Sequence, residues 1–219
     1  MKKLILTLAL AFATLTAANA QIGVFGGWST SRTDNGGNWE ATVKNMSLWN
    51  AGLAYKFEIG PFFTIQPGLA YQVKGTNVQS ALQSLASRSG FLELDLGLQL
   101  GLDLLVLRPF FLFEPFIGYQ VYDNEEFRLL SYNFGQSVQD GNLTTYLANA
   151  KNKFEFGFGV GGGIELLNHL QVSAQWFMNA GQLFNADRLT ADAVKSVAVS
   201  NFQDLKNYSG VKITLGLFF

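Results

Sequence analysis

The stretch Phe91 to Leu104, FLELDLGLQLGLDL, constrains the fold more than any other. Every even position from Leu92 to Leu104 is leucine, and the odd positions between them are Glu, Asp, Gly, Gln, Gly and Asp. The period is two, so on a strand one face is an unbroken leucine ladder and the other is polar. Strands of soluble antiparallel sheets alternate too, but run about 5–6 residues. A strand that crosses a bilayer needs about 9–11 residues and turns its apolar face to lipid. The pattern predicts an outer-membrane β-barrel.

Composition enters where it bears on that expectation. The 219 residues include 23 glycines and 20 phenylalanines. Glycine leaves space inside a narrow barrel, and phenylalanine suits lipid-facing and interfacial positions. Residues 1–20, MKKLILTLALAFATLTAANA, combine Lys2 and Lys3 with an apolar run and the small-x-small end Ala18-Asn19-Ala20. They read as a cleaved signal peptide, leaving a barrel domain over 21–219. Residue 21 is Gln, so no lipid anchor is expected there. Setting aside Lys2 and Lys3 reduces 15 basic groups to 13 against 16 acidic ones, a balance that gives nucleic acid no surface. Cysteine is absent, so hydrogen bonds and packing must hold the fold. Beyond the leader no run of about 18 apolar residues occurs, and a closed barrel is the remaining way to satisfy every backbone group in lipid.

Eight strands are expected: Gln21–Thr30, Met46–Ile59, Phe62–Lys74, Gly90–Leu104, Phe110–Tyr122, Asn152–Leu166, His169–Ala180 and Tyr208–Phe219. Connections alternate between short (Gly60-Pro61, Leu105 to Pro109, Leu167-Asn168) and long (31–45, 75–89, 123–151, 181–207), which predicts periplasmic turns and extracellular loops. Val78, Leu82 and Leu85, and Val194, Val197, Phe202 and Leu205, fall at helical spacing, so the second and fourth loops are expected to hold short amphipathic helices. Aromatics gather at strand ends: Phe57, Phe62, Phe110 and Phe219 by the short turns, and Trp28, Trp49, Tyr71, Tyr119, Phe154 and Trp176 by the long loops. Two girdles are expected of a barrel in a membrane. Pro67 and Pro115 lie within expected strands, and each predicts a bulge or a local break. They belong to a repeat: Pro61-Phe62-Phe63, Pro67 and Tyr71-Gln72-Val73 recur as Pro109-Phe110-Phe111, Pro115 and Tyr119-Gln120-Val121.

The segment Thr64-Ile65-Gln66-Pro67-Gly68-Leu69-Ala70-Tyr71-Gln72-Val73-Lys74-Gly75 resembles the third-strand signature of the PorT-like outer-membrane β-barrel family. The leucine strand, Arg108-Pro109-Phe110, the glycine-rich Gly157 to Gly163, Leu170 to Phe177 and the terminal Leu215-Gly216-Leu217-Phe218-Phe219 follow the same pattern in order. The resemblance implies an eight-stranded outer-membrane barrel and, for some members, a part in protein secretion. Barrels of this kind end in an aromatic residue that the assembly machinery reads, and Phe219 is the expected signal.

Parity directs Lys56, Glu58, Lys74, Glu93, Asp95, Asp103, Glu114, Glu155, Glu165 and Lys212 inward, with Lys153. An eight-stranded barrel is only wide enough for side chains to fill, so these predict a polar plug of ion pairs and hydrogen bonds. Lys74 and Lys212 are expected to meet Glu93 and Asp95, and Lys56 to meet Asp103. The single histidine, His169, lies in a short turn, away from the mouth where a lipase, acyltransferase or protease of the outer leaflet would work. No catalytic residue, metal ligand or cofactor is expected. Gly157-x-Gly159-x-x-Gly162 lies mid-strand with no following helix, which removes a dinucleotide reading. The sequence predicts a monomeric structural or docking barrel. Its expected partners are outer-membrane lipid, the barrel assembly machinery and a protein at 123–151 and 181–207; a narrow channel is the alternative.

Overall fold

The leucine run forms the strand its period predicts as far as Gly101, where the strand expected to reach Leu104 ends. In the computed structural model, which describes residues 20–33, 42–79, 83–129, 153–180 and 208–219, Leu92, Leu94, Leu96, Leu100, Leu102 and Leu104 are exposed while Phe91, Glu93 and Gln99 are buried. The exposed apolar face and the buried polar face invert the order found in water-soluble sheets. The strands are β1 (Ala20–Thr33), β2 (Thr42–Lys44), β3 (Met46–Ile59), β4 (Phe63–Gln79), β5 (Gln83–Gly101), β6 (Leu107–Leu129), β7 (Phe154–Leu166), β8 (Leu170–Ala180) and β9 (Tyr208–Phe218). The expected signal peptide lies outside the described residues except for Ala20.

Eight of these strands close a barrel in the circular order β4-β3-β1-β9-β8-β7-β6-β5, with β4 returning to β5 and every pair antiparallel. The short β2 continues the line of β3 along β4, with one residue more on its own side between Lys44 and Asn50 than on β4. A row of paired residues shows the stagger of closure. From Val24 it runs through Leu53, Leu69, Leu94, Ile117 and Phe156 to Ala180; in the other direction it runs through Leu217 to Leu170. The two ends meet on β8 ten residues apart, Leu170 against Ala180. A stagger of this size goes with strands tilted by roughly 35–45°.

Most of the expected outer face is exposed or half-buried, as are Trp28, Trp49, Tyr119, Phe154 and Trp176 of the long-loop girdle and Phe62 and Phe219 of the other. Phe110 is a correction: it is buried and packs inward beside the Arg108 guanidinium, because it shares parity with Arg108 and Leu112. The turns are tight. Gly60 takes a left-handed φ of 68°, and Leu167 and Asn168 take 54° and 61° in a turn closed by His169 N–H donating to the Leu166 carbonyl at 3.1 Å. Two consecutive left-handed residues give the turn whose twist suits a hairpin.

Both prolines break one ladder without a bulge. Pairing of β3 with β4 skips from Ala54–Gly68 to Phe57–Ile65, and that of β5 with β6 from Asp95–Phe116 to Leu98–Phe113, with the register unchanged. Pro67 stays opposite Leu96 and Pro115 opposite Phe158 on the other edge. In each case the missing N–H falls on the side of the preceding strand, so the repeat extends to hydrogen bonding. The bulge in this region lies instead at Gly90–Phe91, opposite Tyr122 and Gln120.

Residues 75–89 differ from expectation. In place of a helical loop, β4 runs to Gln79 and β5 begins at Gln83, with Val78 paired to Leu85. Three apolar residues at helical spacing are too few to outweigh a ladder already in register. No helix occurs among the described residues, and 194–205 lie outside them. β6 likewise continues through 123–129, paired with β5 to Leu129, while its pairing with β7 ends at Tyr119–Phe154. The β4–β5–β6 sheet therefore rises above the level at which β7 starts.

Candidate functional site

Alternation along eight strands turns every second side chain toward the axis, and the polar ones collect into tiers across the lumen. In the upper tier, Lys74 of β4 is 1% exposed and lies 2.8 Å from Glu93 of β5 and 2.7 Å from Glu155 of β7. Asn179 of β8 donates to the second oxygen of Glu155 at 3.0 Å. The Lys74 ammonium also faces three rings, Phe116 at 4.2 Å, Phe177 at 5.3 Å and Phe91 at 5.4 Å. Two carboxylates and three aromatic faces surround one cation.

In the lower tier, Lys56 of β3 is fully buried, 2.6 Å from Glu165 of β7 and 3.1 Å from Glu58. Arg108 of β6 spreads across the same level. Its guanidinium donates to Gln99 at 3.1 Å and Thr64 at 2.8 Å, meets Asp103 at 3.2 Å and reaches Glu165 at 3.6 Å. Gln99 passes the chain on to Gln66 at 2.7 Å. A planar, multi-donor cation can join four strands in this way, whereas an ammonium cannot.

Between the tiers, Lys212 of β9 lies 2.6 Å from Glu114 of β6, which also accepts from Gln175 of β8 at 2.7 Å. Asp95 lies alongside, with Glu114, Lys212 and Glu93 as its charged neighbours. These residues line a cavity of about 20 Å³.

Of the ten residues expected in the lumen, Asp103 lies at the rim; its partner, the partner of Lys212 and the place of Lys153 all differ from expectation. Asp103 pairs with Arg108 and not with Lys56, and at 57% exposure it belongs to the lower rim. Lys212 is engaged by Glu114, so Asp95 is left without a direct ion pair. Lys153 is exposed at the mouth, its carbonyl accepting from Gln120 N–H at 2.7 Å. Arg108 is the main residue that sequence reasoning missed. Its parity with Glu114 and Gln120 on β6 carries the signal, because the lipid-face penalty on a charge is small this near a strand end. His169 lies in the β7–β8 turn, its Nδ1 2.5 Å from the Leu167 carbonyl. The terminal Phe219 is exposed and pairs by its backbone with Ile22 of β1.

The chain is similar to Ail, the attachment invasion locus protein of Yersinia pestis, crystallised with the heparin analogue sucrose octasulfate: 14% identity, TM-score 0.43, covering 92% of this chain and 100% of that one. It is also similar to Neisserial surface protein A, with 9% identity, a TM-score of 0.42 and the same coverage. OprG of Pseudomonas aeruginosa gives 12% identity and a TM-score of 0.41 over 91% of this chain and 96% of that one. No curated protein matches the chain by sequence. Residues 12–185 match the family described as the outer membrane protein beta-barrel domain. With its lipid-facing leucines, closed antiparallel order and charged interior, the chain belongs to the outer membrane protein beta-barrel domain family and is an integral barrel of the outer membrane.

Proposed function

We propose that this barrel is a closed, monomeric structural and docking protein of the outer membrane, with no conducting path and no catalytic centre. The observation that carries the proposal is the pair of ion-pair tiers: Lys74 with Glu93 and Glu155 above, and Lys56 and Arg108 with Glu165 below, each joining strands on different sides of the axis. An ion would have to separate buried, aligned charges twice to pass, and removing one partner of such a pair costs roughly 3–5 kcal/mol. With the lumen filled, function falls to the end where β4, β5 and β6 rise above the level at which β7 starts. The proposed partner protein meets 123–151 and 181–207, the first of which begins with the end of β6.

The Gln66-Pro67 to Lys74-Gly75 segment supports placing the chain with PorT-like barrels, and secretion is the process in which to seek the partner. His169, held to its own turn, supports the non-catalytic reading. The test is conductance of the refolded barrel in planar bilayers. Silence is expected, and stable single-channel steps overturn the closed barrel in favour of a conduit. Cross-linking on intact cells tests docking: deletion of 123–151 or 181–207 is expected to abolish a captured adduct while the barrel still inserts.

A further inference from the structure

We infer that the turn between β5 and β6, Leu104-Leu105-Val106, is a lipid-binding tip that anchors the barrel in the inner leaflet, seated where phospholipid headgroups meet acyl chains. Three observations converge. The first is the chemistry of the turn. A turn that stands in water is built from Gly, Pro, Asn, Asp or Ser, and this one holds none of them. Leu105 is 104% exposed, with Leu104 and Val106 more than half exposed on either side of it. Leu105 also takes a left-handed φ of 62°, which suits glycine or asparagine and strains leucine. The flanking charges, Asp103 and Arg108, meet each other at 3.2 Å and leave only apolar side chains between them. The turn between β7 and β8 is the contrast: it carries Asn168 at a φ of 61° and the exposed His169.

The second is continuity with the lipid-facing surface. Leu104 pairs with Leu107 in the register of Gly101 with Phe110, so the chain stays extended below the end of β5 and the exposed ladder of Leu100, Leu102 and Leu104 runs into the turn without a polar break. The upper end of the ladder is marked as well. Leu92 lies between Tyr71 of β4 and Tyr119 of β6, and tyrosines of this kind sit at the outer interface. Twelve residues separate Leu92 from Leu104. At about 3.3 Å each and a tilt of roughly 35–45°, they descend about 30 Å. The apolar band of such a barrel is about 25 Å tall, and the interfacial layer beneath it is roughly 5–7 Å deep. The turn therefore falls within that layer, and the lipid that covers the ladder covers the turn.

The third is the backbone. A segment that enters lipid must pair its own polar groups. Leu104 N–H donates to the Leu107 carbonyl at 2.9 Å, and the Leu104 carbonyl accepts from Val106 N–H at 2.6 Å and from Leu107 N–H at 3.4 Å. The Val106 carbonyl accepts from Leu167 N–H of the neighbouring turn at 2.9 Å. Apolar side chains outside and paired peptides inside are what the headgroup boundary selects.

The experiment uses the absence of cysteine from the chain to place one environment-sensitive fluorophore at a time, through Leu105→Cys, Val106→Cys and His169→Cys. Each refolded barrel is held singly in a phosphatidylethanolamine–phosphatidylglycerol nanodisc, where both faces are open to solvent and neither a second copy nor another protein can cover the turn. Heat-modifiable mobility confirms folding, and Val106→Cys decides alone if Leu105→Cys does not fold. A nitroxide carried on the lipid acyl chain near the headgroup is expected to quench the label at 105 and 106 several-fold more than at 169, and aqueous iodide several-fold less. Iodide reaching 105 and 106 as readily as 169 overturns the inference, and so does a lipid quencher that acts on them no more than on 169.

Discussion

Replacing Lys74 with methionine tests whether the upper tier is a cooperative unit. Methionine keeps the unbranched stem and can contact the Phe116, Phe177 and Phe91 rings, so volume changes little. What disappears is the cation paired with both Glu93 and Glu155, at 2.8 and 2.7 Å. Removing one partner of a buried pair costs roughly 3–5 kcal/mol, because the charge left behind has neither water nor a counter-ion. The cation–ring attraction, about 2 kcal/mol when desolvated, is lost as well and is offset in part by sulfur–ring contact. The single variant should therefore lose about 4 kcal/mol of folding free energy. The Lys74→Met, Glu93→Gln, Glu155→Gln triple variant removes the stranded charges and keeps an acceptor for Asn179, so it should recover to within roughly 1–2 kcal/mol of the original. Urea titration of the barrel in lipid vesicles, read by tryptophan fluorescence and by the heat-modifiable mobility of the folded form, measures both. A single variant costing less than 1 kcal/mol, or a triple variant as unstable as the single one, would refute the reasoning.

Four further outcomes are expected. Leu96→Arg puts a guanidinium on the lipid face in the middle of the leucine ladder and should cost roughly 2–4 kcal/mol in the same titration. Leu167→Asn should stabilise the barrel by about 1 kcal/mol, because Leu167 is exposed at a φ of 54°, where asparagine is tolerated and leucine is strained; an unchanged urea midpoint would count against it. Gly161→Ala brings a Cβ within 2.1 Å of the Ala174 carbonyl oxygen on β8, and the backbone shift this forces should cost about 1–3 kcal/mol. Arg108→Lys keeps the charge but cannot reach Thr64, Gln99 and Asp103 together; a loss of roughly 1–3 kcal/mol is expected by urea titration, and none if charge alone matters.

The fold was legible because a strand in lipid has a side-chain period of two and little freedom to depart from it. One misplaced charge costs as much as a good part of the molecule's stability, so Leu92 to Leu104 and the carboxylates between them could be sorted by parity alone. The strand ends were less legible for the same reason: above the bilayer that penalty vanishes. Val78, Leu82 and Leu85 then carry a pattern that a hairpin satisfies as well as a helix. Within the lumen, parity identifies who faces in but not who meets whom. A closure stagger of ten residues, visible only when the register returns to β8, sets Lys212 against Glu114 rather than Asp95. Arg108, missed by sequence reasoning, meets Asp103 across the β5–β6 turn and so takes the place assigned to Lys56.

The same arithmetic explains why a charged interior persists although apolar side chains of equal volume would fill it at no loss of stability. A slip of one residue in any strand exchanges its faces. With an apolar interior, the slipped strand would show lipid an apolar face in either register, and the bilayer could not tell them apart. With Lys212 on β9 between the tiers, a slip exposes a cation to lipid at roughly 2–4 kcal/mol near the midplane, and for Lys74 on β4 and Arg108 on β6 it strands their carboxylate partners inside. The penalty falls on the misregistered barrel rather than the correct one. In this chain the ion pairs discriminate between registers more than they add to the stability of the one adopted, and the polar face of the leucine strand is what makes its leucine face unambiguous.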